Sequence, residues 1–421
     1  MKHVTAILAL AFAPAIICLP APSHADTTAI KQFINEHYAD ELPKNAGKMS
    51  LRQLRRHFDS YTQIMSQEEI DERELAFAGV VKNSFGVNLG VGNNGARVLS
   101  IMPNGPAYFA GVREEDVIER MDGDYRGLLD AMVGAGPLTR PTGTVVNLQI
   151  RRDGKVFTQQ IKFNTFELDP VTYAVSGRVL SIRINRFSQG LAQRFKTITA
   201  WIDPKTIDTL ILDVRGNPGG LRDEAVELAE QFIPLGDTIC AFKFRRETTY
   251  SISKRVSRWR DPRPIFILQD GESASGSELF AGALLVRCHA VLIGSTTYGK
   301  GRMQRIITEK DVPNIAGDDV AGLYMTIAFF LPGGTLDIDE SGIPPSIEFV
   351  APHREVGELP HDFDVAKWRR RIQMPEQRHI DSANALGYGN IAPIIWGERL
   401  APYHAINDVR LALLEQRKST K

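Results

Sequence analysis

The sequence has few cysteines and no surplus of either charge. It contains 3 cysteines in 421 residues, and its 50 basic side chains equal its 50 acidic ones. The chain thus has neither the surplus of basic residues that indicates nucleic-acid binding nor the acidic excess that indicates a solvating tail. No cysteine lies in a C-x-x-C or Cys/His pattern, so we expect no zinc site or thiol-redox function. A chain of this length predicts two or three domains.

A long apolar run occurs at the N-terminus, where residues 4–19 are nearly all apolar. Prolines such as Pro14 interrupt this run, which is short for a membrane span. Ser23-His24-Ala25 then has the small-x-small pattern of a signal-peptidase site. Cys18 lacks the preceding small residues of a lipidated cysteine. We therefore predict a signal peptide over residues 1–25, cleaved near Ala25, and a periplasmic or secreted mature protein.

Two cysteines, Cys240 and Cys288, remain after this cleavage. One disulfide between them and two buried thiols are both compatible with an oxidising compartment. The sequence leaves these alternatives open.

Hydrophobic periodicity divides the mature chain into four segments. Residues 26–76 have helical spacing, including a capped helix after Ser66. Residues 77–165 predict short strands and turns, ending in a hairpin across Asp153-Gly154. Residues 166–351 alternate strands with helices, which is typical of an α/β domain. Residues 352–421 form a C-terminal extension without an assignable motif.

A serine-rich corner follows a buried strand in the α/β segment. The apolar run 265–268 ends in Asp270-Gly271, and Ser275 then lies where the strand turns into a helix beginning near Glu278. This position would expose the hydroxyl beside helix N–H groups, which favour a developing oxyanion. The same four residues, Ser275 to Glu278, also fit an S-x-x-E capping box. Taken alone, the stretch favours the cap.

A lysine between two glycines follows the next strand, as Gly299-Lys300-Gly301. A turn after a buried strand is an unusual place for a solvated lysine, whereas a buried lysine with a lowered pKa can act as a base. Residues 294–300 also match the phosphate-binding pattern G-x-x-x-x-G-K, but Gly301 replaces the metal-binding Ser or Thr. A third turn, residues 213–221, follows a strand, is rich in glycine and directs backbone N–H groups toward an anion. No histidine lies in a local signature beside a candidate serine.

These motifs together resemble those of the carboxyl-terminal processing, or tail-specific, serine protease family. The resemblance extends over roughly residues 54–350 and rests on four ordered motifs: residues 213–221, 273–282, 297–304 and 342–345. It implies an α/β protease core with strands alternating with helices, an inserted PDZ-like β-rich domain and a helical N-terminal segment. Gly276, Gly216 and Tyr298 depart mildly from the residues usual in the family.

The resemblance also implies specific roles. Ser275 would be the nucleophile, Lys300 its base and Gln304 the residue that orients the lysine. The backbone N–H groups of Gly276 and Gly219 would form the oxyanion hole, with Gly220 as the alternative to Gly219. No metal or organic cofactor is implied. The residues that would receive a peptide C-terminus in the PDZ-like domain are Phe85, Gly86, Val87, Asn88 and Leu89.

We therefore expect an exported serine endopeptidase that cleaves proteins with unstructured C-terminal tails through an acyl-enzyme. An adaptor protein and homo-oligomerisation remain open as further partners, and no nucleic acid is expected. The alternative function is a catalytically inactive PDZ-type scaffold on the same fold. The PDZ-like domain could deliver substrate or inhibit the site, and the sequence does not decide between the two.

Overall fold

The computed structural model describes residues 27–92, 95–124, 139–260, 263–313, 315 and 321–348. The predicted signal peptide and C-terminal extension lie outside these ranges. None of the described helices is both long enough and apolar enough to cross a membrane.

The N-terminal segment is mainly helical, as predicted. Its elements are α1 (Thr27–His37), α2 (Leu51–Leu54), the short strand β1 (Gln63–Met65) and α3 (Gln67–Phe77). The predicted cap of α3 is confirmed, because Ser66 N–H donates to Glu69 Oε2 at 2.8 Å and Glu69 N–H donates to Ser66 Oγ at 3.3 Å. Such reciprocal bonds satisfy N–H groups that the first helical turn leaves without partners.

The β-rich segment forms a five-stranded antiparallel sheet in the order β3-β4-β5-β6-β7. Its elements are β3 (Val87–Gly92), β4 (Gly95–Ile101), α4 (Pro106–Phe109), β5 (Val117–Met121), β6 (Val145–Arg152) and β7 (Lys155–Lys162). The predicted hairpin across Asp153-Gly154 is therefore present. The core of the segment includes Phe85 and Phe163, whose rings pack edge to face at 5.1 Å.

The chain enters and leaves this sheet through one pair of antiparallel strands. They are β2 (Val80–Ser84) and β8 (Asn164–Glu167), with Ser84 opposite Asn164. Entry and exit points that are neighbours are expected of a domain inserted into another.

The α/β segment contains a six-stranded sheet in the order β18-β15-β14-β11-β10-β9. Five strands are parallel and β9 is antiparallel. The strands are β9 (Val171–Ser176), β10 (Val179–Ile184), β11 (Thr209–Asp213), β14 (Ile265–Gln269), β15 (Val291–Gly294) and β18 (Ile347–Glu348). The helices are α5 (Leu191–Thr199), α6 (Arg222–Ala229) and α7 (Gly276–Cys288). Every residue of β11 and β14 is buried, which explains their continuous apolar runs.

A second sheet, which is antiparallel, contacts helix α7 and was not expected from the alternating pattern. Its members are β1, β12 (Thr238–Phe244), β13 (Thr248–Ile252), β16 (Arg302–Ile307) and β17 (Gly322–Pro332). Strand β1 of the N-terminal segment pairs with β17, with Gln63 opposite Tyr324. The N-terminal segment is therefore part of the same sheet as strands that follow Lys300.

Cys240 and Cys288 are both free thiols. Cys240 is fully buried in β12 and Cys288 is half-buried at the end of α7. Of the two alternatives left open by the sequence, the structure has the thiols.

Candidate active site

Three turns meet at the carboxyl ends of the neighbouring parallel strands β11, β14 and β15. We call them the Gly-rich turn (residues 214–220), the serine corner (residues 270–277) and the lysine turn (residues 294–301). In open α/β sheets this edge is where ligands bind. All three candidate motifs of the sequence therefore lie at one place in the fold.

Hydrogen bonds fasten the Gly-rich turn to the serine corner. Asn217 O accepts both Ala274 N–H at 3.1 Å and Ser277 Oγ–H at 2.8 Å. Ser273 Oγ–H donates to Val214 O at 2.8 Å. All five residues are buried, so these hydrogen bonds are shielded from water and hold the two turns together.

Ser275 has an unusual backbone conformation, with φ 55° and ψ −110°. This is outside the regions that serine normally adopts and costs on the order of 1–3 kcal/mol. Its position directly before α7 is the strand-to-helix turn on which exposed serine nucleophiles occur. The strain at Ser275 thus supports a functional role rather than a helix cap alone.

Gly219 lies directly against the serine corner. A Cβ on Gly219 would be 2.6 Å from Gly276 N and 2.9 Å from Ser275 Cβ, and its φ is +93°. The close approach therefore requires glycine.

The N–H of Gly219 itself donates to Asn217 Oδ1 at 2.9 Å. By contrast, among the hydrogen bonds of the described residues none uses the N–H of Gly220 or Gly276. Gly220 N is 3.3 Å from the position of a Cβ on Gly276. The resemblance implied Gly219 as the second oxyanion donor, with Gly220 as the alternative. Because the Gly219 N–H is already used, the geometry favours Gly220.

Lys300 is half-buried, and its Nζ lies 4.8 Å from the centroid of the Tyr61 ring. The pKa of Lys300 is lowered to about 8, chiefly by burial and also by the positive charge of Arg73, while Asp59 and Glu278 oppose the change. A neutral amine near physiological pH is what a general base requires. Tyr61 and Arg73 come from the N-terminal segment, which sequence analysis had not connected with the site.

Glu278 joins the serine corner to the lysine turn. Its Oε2 accepts Ser275 N–H at 2.7 Å and Lys300 N–H at 2.9 Å, so both backbones contact one oxygen atom. The side chain is fully buried. The sequence identified Glu278 as the partner of a cap, and the second set of contacts had no local signal.

The same contacts exclude a phosphate-binding role for the lysine turn in this conformation. A phosphate loop needs free backbone N–H groups, yet the N–H groups of Gly299 and Lys300 both donate to Glu278. Within the described ranges, no three His, Cys, Asp or Glu side chains are grouped as metal ligands.

Gln304 lies in β16, opposite Thr326 of β17. Its Nε2–H donates to Thr326 Oγ1 at 3.1 Å. This hydrogen bond lies within the second sheet and does not involve Lys300. Its predicted role in orienting the lysine stays a prediction.

The predicted peptide-receiving residues lie at the start of β3, an edge strand of its sheet. The Phe85 ring is buried against Phe163, so this residue could contact a ligand only through its backbone. Gly86 has φ +82°, and a Cβ there would lie 3.0 Å from Gly105 Cα. Val87 and Leu89 are half-buried against the core of the β-rich segment. Asn88 Nδ2–H donates to Ser100 Oγ at 2.8 Å.

The β-rich segment also contacts the Gly-rich turn. The position of a Cβ on Gly216 is 3.2 Å from Ser100 Oγ and 3.9 Å from Asn88 Nδ2. Nearby, Glu114 lies 3.6 Å from Arg183 of β10. Burial raises the pKa of Glu114, and the charge of Arg183 opposes this. The first strands of the β-rich segment therefore lie beside the candidate oxyanion turn.

Comparison with known proteins agrees with this geometry. Residues 178–349, from β10 to β18, match the model of peptidase family S41. The chain is 28% identical over 322 residues to a carboxy-terminal-processing protease of Bartonella bacilliformis, covering 75% of this chain and 71% of that protein. It is 28% identical over 330 residues to a probable CtpA-like serine protease of Staphylococcus epidermidis, covering 77% and 64%.

Two solved structures share the fold. They are a photosystem II D1 C-terminal processing protease (TM-score 0.51, 20% identity, 76% of this chain and 91% of that chain) and a putative S41 protease from Bacteroides fragilis (TM-score 0.55, 16% identity, 79% and 92%). The family model, these folds and the named relatives agree with the resemblance drawn from the motifs. Over residues 178–349, the chain is therefore similar to peptidase family S41.

Proposed function

We propose that this protein is an endopeptidase in which Ser275 is the nucleophile and Lys300 the general base. The observation that carries the proposal is that one buried carboxylate, Glu278, accepts the N–H groups of both residues. This contact brings a strained serine and a lysine of lowered pKa to one place. A structural cap alone explains neither the strain nor the burial of the lysine.

The reaction follows from these positions. Neutral Lys300 accepts the proton of Ser275 as the serine oxygen attacks the substrate carbonyl carbon. The N–H groups of Gly276 and Gly220 would stabilise the oxyanion. Collapse of this intermediate breaks the C–N bond, and Lys300 gives its proton to the leaving amine. Water then attacks the ester carbonyl carbon while Lys300 accepts its proton. The acyl C–O bond breaks as Lys300 returns that proton to Ser275 Oγ, which releases the acid and restores both residues.

The proposed substrates are proteins with unstructured C-terminal tails. An extended tail would add as a strand to the exposed edge of β3, and N–H groups near Gly86 would bind its carboxylate. An edge strand beside the Gly-rich turn supports this proposal. Export to the periplasm or out of the cell belongs to the same proposal, and the predicted signal peptide supports it.

The dyad is tested with an unfolded protein that carries a C-terminal tail. Ser275→Ala and Lys300→Ala should each abolish its cleavage while circular dichroism remains that of the wild type. A serine-directed acylating probe should label the wild type but not Ser275→Ala. The proposal would be contradicted if either variant retained turnover, or if the wild type failed to react with the probe.

A further inference from the structure

The carboxylate of Glu278 is fully buried and accepts hydrogen bonds from four donors. Oε2 accepts the two N–H groups described above. Oε1 accepts Thr297 Oγ1–H at 2.6 Å and Gly299 N–H at 2.7 Å. Two acceptor positions on each oxygen are thus filled, and the Thr297 hydroxyl is itself oriented because it accepts Ile343 N–H at 2.7 Å.

The chain contains an internal comparison for this residue. Glu69 occupies the same position in the capping box of α3, where it accepts Ser66 N–H at 2.8 Å. Glu69 is exposed, and among the residues that the structure describes it accepts hydrogen bonds from Ser66 alone. Capping therefore accounts for one of the four bonds of Glu278. The other three come from the lysine turn, which lies after the next strand.

We propose that Glu278 is a positioning residue that fixes the backbones of Ser275 and Lys300 relative to each other. This inference rests on the proposed roles of those two residues. Because both N–H groups share one oxygen, neither turn can shift without loss of a charge-assisted hydrogen bond. The bond to Ser275 also helps to hold the φ of 55° that serine would otherwise avoid.

The charge of Glu278 has a second effect, on Lys300. The groups that face the lysine are Arg73 on α3, Asp59 and Tyr61 before β1, and Glu278 on α7. The two carboxylates raise the pKa of Lys300 against the lowering by burial and by Arg73. Removal of the Glu278 charge should therefore lower the pKa of the lysine. The loss of a helix cap alone would not have this effect.

The test is Glu278→Gln, with Glu69→Gln as the matched control. The amide introduced by Glu278→Gln would have nearly the same shape as the carboxylate, but its NH₂ group would face two donors in place of an acceptor. Because small displacements of reacting groups are costly, we expect kcat to fall by roughly 10- to 100-fold with KM nearly unchanged. The acid limb of the pH profile should move to lower pH. Glu69→Gln should change neither.

Each outcome decides the question. A folded Glu278→Gln variant with wild-type kcat and an unmoved acid limb overturns the inference. If that variant does not fold, Thr297→Val removes one donor to Glu278 together with the acceptor of Ile343 N–H. A lower kcat at unchanged KM then supports the inference, while wild-type kcat overturns it. Ser275→Ala and Lys300→Ala are measured in parallel. If both are inactive while Glu278→Gln behaves as the wild type, the Glu278 inference fails and the proposed dyad stands.

Discussion

Protonation of Lys300 should set the low-pH limit of peptidase activity. Its pKa is lowered from 10.5 to about 8, chiefly by burial. Because only the neutral amine can accept the proton of Ser275, kcat/KM should rise about tenfold per pH unit up to about pH 8 and then level off. At pH 7 about a tenth of the enzyme would have a neutral lysine, against roughly one molecule in 3000 for an unperturbed one. The lowered pKa therefore raises the fraction of neutral lysine at pH 7 roughly 300-fold.

Arg73→Gln tests the electrostatic part of this reasoning. The charge of Arg73 lowers the pKa of Lys300, and its guanidinium lies 4.0 Å above the Tyr324 ring. Loss of that charge should raise the pKa of Lys300, so the acid limb should move to higher pH while the plateau at high pH is retained. Arg56→Gln changes an exposed arginine of the same segment and should leave the profile unchanged.

The assay is the initial rate of cleavage of a fluorogenic tailed peptide, measured below KM from about pH 6 to about pH 10. Wild-type stability over this range is followed by intrinsic fluorescence. A midpoint near that of an ordinary lysine would refute the burial argument. A limb that moves to lower pH in Arg73→Gln would refute the electrostatic one.

Three other variants test the close packing at Gly219, the buried charge of Lys300 and the role of the β-rich segment. Gly219→Ala places a Cβ 2.6 Å from two backbone atoms and should abolish cleavage. The control Gly236→Ala has a similar φ of +89° but open space around it, so it should cost only about 1 kcal/mol of stability and keep activity. Equal activities of the two variants in rate assays would contradict this. Lys300→Met removes the burial penalty of an ammonium and should raise the free energy of unfolding at pH 7 by about 1–3 kcal/mol. Since the folded state has the lower pKa, this gain should shrink as pH rises from about 8 to 10.5 in urea titrations, and a pH-independent difference would argue against it. Residues 85–163 can be replaced by an Asn-Gly turn because β2 pairs with β8. If the β-rich segment delivers tailed substrates, this replacement should lower their cleavage rate. A higher rate would mean that the segment inhibits the site.

Much of the fold could be predicted from local patterns. The capped helix α3, the hairpin across Asp153-Gly154 and the buried strands β11 and β14 each have a signal within a few residues. These signals exist because helix caps, tight turns and buried strands are satisfied by neighbouring groups. The second sheet had no such signal, since Gln63 pairs with Tyr324 on a distant strand.

Local sequence patterns were enough to identify the candidate residues for the chemistry: a serine at a strand-to-helix turn, a lysine between two glycines and a glycine-rich turn after a third strand. Only the tertiary structure decided how they meet. Pairing of parallel strands brings the three turns to one edge, and Glu278 then binds the serine and lysine backbones together. It also decided that Gly219 N–H is used within its own turn and that Tyr61 covers Lys300. Hydrogen bonds between distant segments and burial by them depend on the whole packed chain, so no local pattern of residues encodes them.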